Sequence, residues 1–169
     1  RRLVYQFDNK TEKTFENTIK YISQLSYARY APLLFLKEPL PEFENQSQRN
    51  LRGFMKTILV KRLESSFFAF RNTLARFIDS HEKFIEMYNG GVVYISRKVD
   101  VYHFLDNDDE ATLLELVNQD KIEKYATSEF KDDFLSCLLK DLKLLQEMQA
   151  LWNQIDNDPK IAELTDDLK

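Results

Sequence analysis

Lys61, Ser65, Phe68, Asn72 and Arg76 recur three or four residues apart. A helix through them lines two cations, two small polar groups and an aromatic ring along one ridge. Such a ridge suits a phosphate backbone, with the cations on phosphates and the ring stacked on a base. The same spacing equally suits packing, with Phe68 buried against another element and the cations at its rim. Arg62 and Arg71 join the ridge as candidate nucleic-acid contacts, while Glu64 reads as a local structural partner for one of these cations. Asp141 is the second chemistry-bearing position. It falls in a near-heptad seam of Phe130, Phe134, Cys137 or Leu138, Leu145, Met148, Trp152 and Ile155, and a buried carboxylate has to be paired or protonated. Arg52, Arg62 and Arg71 are the cations available to it. One expectation is therefore a structural ion pair between helices, the other a wet carboxylate at the edge of the seam. Asp100 and His103 offer two metal ligands on one turn, where a metal site wants three or four. The glycines, at 53, 90 and 91, cannot build a G-x-x-x-x-G-K-[ST] phosphate loop. The chain is thus assigned no catalytic residue, no cofactor site and no metal site of its own.

The elements that must position these residues are helical. With three glycines and four prolines in 169 residues, the chain lacks the turn formers an all-β fold needs. Asn9, with Glu12 three residues on, predicts a first helix whose face is Phe15, Ile19, Ile22 and Leu25 or Ser26. It ends before Pro32. Residues 33–43, with Pro39 and Pro41, form a connector apolar enough to lie on the core. Asn45 or Ser47 caps a helix that includes residues 48–78, runs on to Tyr88 and stops at Gly90-Gly91. As a single helix this is about 65 Å long, a length that implies a protruding element or a kink. Leu59, Leu63, Phe67, Phe70, Leu74, Phe77 and Ile78 share one face, whereas Leu51, Phe54 and Ile58 point away from it, so either the helix bends near Gly53 or its two ends pack on different neighbours. Residues 92–95 are β-like, residues 99–105 are a strand or a helical turn, and Asp108 or Asp109 starts a short helix through Val117. Ser128 caps the second long helix, of about 28 residues or 42 Å. Pro159 opens a last helix with Ile161, Leu164 and Leu168 on its face. The expected fold is all-α: an elongated antiparallel helical bundle with two long helices and a small irregular or β piece.

Thirteen Phe, eight Tyr and one Trp supply a core for one domain. The single cysteine, Cys137, excludes an internal disulfide and fits a reducing compartment or an incidental core thiol, so a cytoplasmic protein is expected. No apolar run approaches the roughly 20 residues that span a bilayer, and neither membrane nor secretory signal is read. The net charge of −4 is unevenly laid out. Residues 48–83 hold eight Lys or Arg against three Asp or Glu, and residues 106–169 hold seven against seventeen. Such asymmetry argues for a partner or for packing of the two halves on one another, unless it is simply carried by solvated helix faces.

Several blocks, in order, resemble one family. Leu25-Ser26-Tyr27-Ala28-Arg29-Tyr30-Ala31-Pro32 resembles the LsyARYxP block of bacterial Swi/Snf-type helicases of superfamily two. Lys61-Arg62-Leu63-Glu64-Ser65-Ser66 followed by Ala69-Phe70-Arg71-Asn72-Thr73-Leu74-Ala75-Arg76 is similar to their KRLESS and AFxxTLxR blocks. Phe130-Lys131-Asp132-Asp133-Phe134, with Asp141-Leu142 and Trp152, is similar as well. The resemblance implies residues 1–8 as the end of a first RecA-like lobe, cut from something larger, residues 9–157 as a helical insertion, and residues 158–169 as the start of a second lobe. It implies a parent DNA-dependent ATPase that binds ATP and Mg²⁺ outside these residues, with DNA and the adjoining lobes as partners. Two rival readings stand beside it. One is a free-standing helical interaction module. The other is a HEPN-like ribonuclease, because Arg76 and His81 fit the R-x4-6-H spacing of those enzymes, although Phe77 and Ile78 fill the gap with core-type residues.

Overall fold

Asp8 starts the first helix. Its carboxylate accepts from Thr11 N at 2.6 Å and its carbonyl from Glu12 N at 2.9 Å, which satisfies two of the donors a helix start leaves bare. The N–H of Thr11 also holds the Asp8 carboxyl below its ordinary value. The cap is thus Asp8 and not Asn9, which is the first residue of α1 (Asn9–Gln24). Neighbouring Asp and Asn cap equally well, so their order decided it. The computed structural model describes residues 7–96 and 122–156. Most of the expected end of a first lobe at residues 1–8, the segment 99–105, the helix begun by Asp108 or Asp109, the Asp100 and His103 pair and the last helix after Pro159 lie outside the described residues.

A 3-10 turn (Pro32–Phe35) opens the connector. Leu36 bridges to Phe130, Lys37 N donates to Glu129 O at 2.8 Å, and Lys131 N donates to Phe35 O at 2.7 Å. Leu33 and Leu36 are buried, so this connector does lie on the core. α2 (Glu42–Ser65) follows Pro41 without a side-chain cap. Glu42 and Glu44 favour the positive end of its dipole. The expected caps Asn45 and Ser47 fall inside it.

The single long helix is not formed. Ser66 is extended (φ −161°, ψ 134°) and its hydroxyl accepts from Ala69 N at 3.3 Å, so it ends α2 and caps α3 (Phe67–Asn89). α2 passes through Gly53 unbroken. The step at Ser66 is a reversal. Gln48 Oε1 accepts from Leu33 N, and Tyr30 packs on Phe77 at 4.9 Å. In one straight helix Gln48 and Phe77 would stand about 43 Å apart, yet the three residues from Tyr30 to Leu33 reach at most about 11 Å. The predicted protrusion is therefore a hairpin of two helices.

Val92–Ser96 (β1) and Ile122–Ala126 (β2) pair antiparallel, Val92 opposite Ala126 and Ser96 opposite Ile122. Thr127–Glu129 makes another 3-10 turn, closed by Glu129 Oε2 accepting from Ala126 N. α4 (Phe134–Trp152) thus begins later than the expected Ser128 cap, and is 19 residues long. Phe67 and Phe70 meet Trp152, while Phe84 and Tyr88 meet Phe134, which runs α4 antiparallel to α3. Trp152 Nε1 donates to Thr18 Oγ1 at 2.8 Å, Lys10 Nζ donates to Gln154 O at 2.9 Å, and Ser26 meets Asp141. α1 is accordingly antiparallel to α4, and the four helices alternate up and down. The described residues are mostly α-helical with one small antiparallel sheet, as the sequence implied.

Both predicted seams are buried: Leu59, Leu63, Phe67, Phe70, Leu74, Phe77 and Ile78 on α2 and α3, and Phe134, Leu138, Leu145, Met148 and Trp152 on α4. Leu51, Phe54 and Ile58 do not point elsewhere; they are half-buried against the same cluster. A second cluster gathers Phe84, Phe130, Phe134, Val93 and Tyr125 near the sheet, and Leu142 packs against both.

Candidate nucleic-acid interface

Phe68 bears on the packing reading of the ridge. Ser66 caps α3, so Phe67 turns in, buried at 1%, and Phe68 turns out, 67% exposed. Packing of Phe68 against another element is excluded among the described residues. Asn72 and Arg76 follow at one-turn intervals on α3 and are exposed with it; Lys61 and Ser65 are exposed on the last turns of α2. Because the chain reverses at Ser66, the ridge is two short rows from the two arms of a hairpin and not one continuous line.

The other expected contacts are placed differently. Arg71 is half-buried, and its Nη2 donates to Ile155 O just past the end of α4, with Nε buried and unpartnered among the described residues. Its guanidinium satisfies the carbonyl end of a neighbouring helix and does not face solvent. Arg62 is half-buried. Glu64 is exposed and forms no ion pair among the described residues, so its expected cation is not there. Trp152 is fully buried, its indole N–H on Thr18, whose hydroxyl donates in turn to Thr14 O.

Asp141 is fully buried, so it is not a wet edge group, but its partners are not arginines. Ser26 N donates to Oδ1 at 2.8 Å; Ser26 Oγ at 2.7 Å and Ala28 N at 3.2 Å donate to Oδ2. Tyr27, at φ 56°, lies between these donors. That left-handed residue turns the flanking N–H groups onto one anion, the concave arrangement that successive backbone amides make around a charge. Burial and the neighbouring Asp141 push the Tyr27 phenol above its ordinary value, and Arg52 pulls it back. The rest of the loop holds α3. Arg29 lies 4.6 Å from the centre of the Phe84 ring, with its Nε on Ser80 O, and Tyr30, its phenol pushed up to about 12 by burial, meets His81 edge-on.

His81 is 2% exposed. Its Nδ1–H donates to Phe77 O at 2.7 Å, and Nε2 is buried without a partner. Burial holds the imidazole below its ordinary value. Arg76 is exposed, so the R-x4-H pair shares no accessible surface, and a phosphodiester at Arg76 is out of reach of His81. Comparison with protein-family models, curated proteins and solved structures finds no match. Among the described residues no three His, Cys, Asp or Glu side chains could hold a metal, and no helix is long and apolar enough to cross a membrane.

The sequence reading gave Ser26, Ala28, Arg29 and Thr18 no individual role, although the first three stand in a block quoted for the resemblance. Three of them act through the backbone or through a hydroxyl, which leaves no periodic trace. Arg29 was open to notice, as a lone cation in an apolar stretch ahead of a proline.

Proposed function

We propose that this chain is a helical insertion of an ATP-driven DNA translocase of the bacterial Swi/Snf type, a cytoplasmic protein whose RecA-like lobes bind ATP and Mg²⁺ outside these residues. One observation carries the reading: the blocks quoted for the resemblance meet in space. Ser26 and Ala28 of the first block close on Asp141 of the last, and Phe67 and Phe70 beside the middle blocks pack on Trp152. Blocks that converge on one core are what a shared fold requires, since each depends on the others for burial.

In this reading the bundle moves with the lobes as one body. The Asp141 clamp and the Arg29 contact tie α1, α3 and α4 together, so displacement at either flank is passed on rather than absorbed by a hinge. Lys61, Phe68 and Arg76 then meet the DNA, the ring against a base or sugar and the cations on phosphates. Lys61→Glu/Arg76→Glu lowers DNA affinity and reduces the dependence of log K on log salt by about 1.8 for a duplex. Unchanged affinity and slope would reject the contact.

An interaction module remains the second reading, favoured by Phe43, 86% exposed at the start of α2. A protein partner that competes with DNA for Phe68 would support it.

A further inference from the structure

We propose that the outer face of α2, built on Arg49, Arg52 and Lys56 beside Gly53, docks the phosphate backbone of a nucleic acid; this rests on the nucleic-acid reading above. None of these residues belongs to the ridge described there. Between Gln46 and Leu63, α2 carries five cations and no carboxylate, in a chain whose net charge is −4. Arg49, Arg52 and Lys56 are all exposed, and none is held in an ion pair among the described residues. At 100° per residue the three fall within an arc of about 60° and over about 10 Å of helix axis. Lys61, about 7 Å further along, lies about 140° round the helix from Lys56 and so forms no part of this row.

Gly53 supplies the independent observation. Glycine inside a helix is destabilising relative to alanine, and here a Cβ would meet nothing within 4 Å. Neither packing nor a positive φ therefore accounts for it. It lies beside the cationic arc, about 40° round the helix from Arg49 and about 60° from Lys56, where the missing side chain leaves the helix backbone open along the edge of the row. A phosphodiester can then lie against the open backbone with the arginine forks and the lysine along one flank of it. A lipid surface fits less well, because a helix that lies on a membrane needs a free apolar face, and the apolar side of α2 (Met55, Leu59, Leu63) is buried in the core.

The test uses the full chain and fluorescent oligonucleotides, one duplex and one single-stranded, titrated over a range of salt. Arg49→Gln/Arg52→Gln/Lys56→Gln keeps good helix formers and should retain the wild-type melting temperature. The expected result is a loss of affinity of at least 30-fold. The salt slope should shrink by about 2.7 on the duplex if that is the ligand, or by about 2.1 on the single strand. Gly53→Ala should raise the melting temperature yet weaken binding, opposite signs that a purely structural glycine would not give. If Phe68→Ala/Arg76→Gln weakens binding while the α2 triple does not, the α2 site is wrong and the ridge stands. If neither variant changes binding, both readings fall. If the wild type ignores oligonucleotides but binds phosphatidylserine vesicles through the α2 cations, the surface is a membrane site and the proposal is overturned.

Discussion

Removing the Asp141 carboxylate should be among the most damaging single changes in the protein. Asp141→Ala strands three donors at once: Ser26 N, Ser26 Oγ and Ala28 N. Each donor left without a partner in the interior costs about 1–3 kcal/mol. Ser26 is half-buried and can be partly rehydrated, and releasing the left-handed Tyr27 returns roughly 1 kcal/mol, so the sum is discounted to about 4 kcal/mol. That is a large share of the 5–15 kcal/mol that typically holds a domain together. Trp152, the only tryptophan and fully buried, reports unfolding by fluorescence. With a urea m-value of about 2 kcal/mol/M, the midpoint should fall by about 2 M, and the melting temperature by roughly 8–16 °C. Ser26→Ala, which removes only the hydroxyl, should cost about 1–1.5 kcal/mol. Double-mutant cycles of Asp141→Asn with Arg52→Gln, Arg62→Gln or Arg71→Gln should show coupling under about 0.5 kcal/mol. An Asp141→Ala variant within about 1 kcal/mol of wild type would refute the clamp, and strong coupling to an arginine would restore the ion pair.

Burial lowers the His81 pKa in the folded state, so the unfolded chain binds the proton more tightly. Its contribution is complete above the ordinary value of 6.5 and is lost as pH falls through the lower folded value. Arg29 opposes the imidazolium and Asp141 favours it, both across the packed loop and α4. Urea midpoints taken from pH 7.5 to 5 should therefore decline more steeply in the wild type than in His81→Leu; parallel curves would contradict the buried imidazole. Ser66→Ala should cost about 0.5–1 kcal/mol through loss of the α3 cap, read as a shift in urea midpoint with no change in m-value. Arg71→Met should destabilise by about 1–3 kcal/mol by releasing Ile155 O while oligonucleotide affinity stays within twofold. Arg76→Met should lose oligonucleotide affinity by a larger factor than Arg71→Met does.

The seams were legible because a buried helix face needs only apolar residues at the right spacing, and Leu59, Leu63, Phe67, Phe70 and Leu74 supply it. That same regularity concealed the reversal. Leu63 to Phe67 is a four-residue step and Phe67 to Phe70 a three-residue step, so the stripe keeps helical phase across Ser66 while the chain turns back. Ser65-Ser66 ahead of a fresh apolar run was the one available cue, since serine caps helices. Burial of Asp141 could be read from its seam, but its donors are backbone amides presented by a left-handed tyrosine, which sequence does not advertise. β1 was visible in Val92-Val93-Tyr94-Ile95. Its partner was not, because Ile122-Glu123-Lys124-Tyr125-Ala126 puts two charges in five residues.

Phe7 packs against Phe67 with its ring tilted, and Lys10 reaches Gln154. The described chain therefore enters and leaves the bundle at the same pole. In the insertion proposed above, ends that lie side by side would let the bundle be held at one pole with none of its helices interrupted. On that proposal, a twist between the two flanks would reach the bundle as rotation of the whole. The far pole, where α1 hands over to the connector and α3 to the sheet, sweeps the larger arc of that rotation.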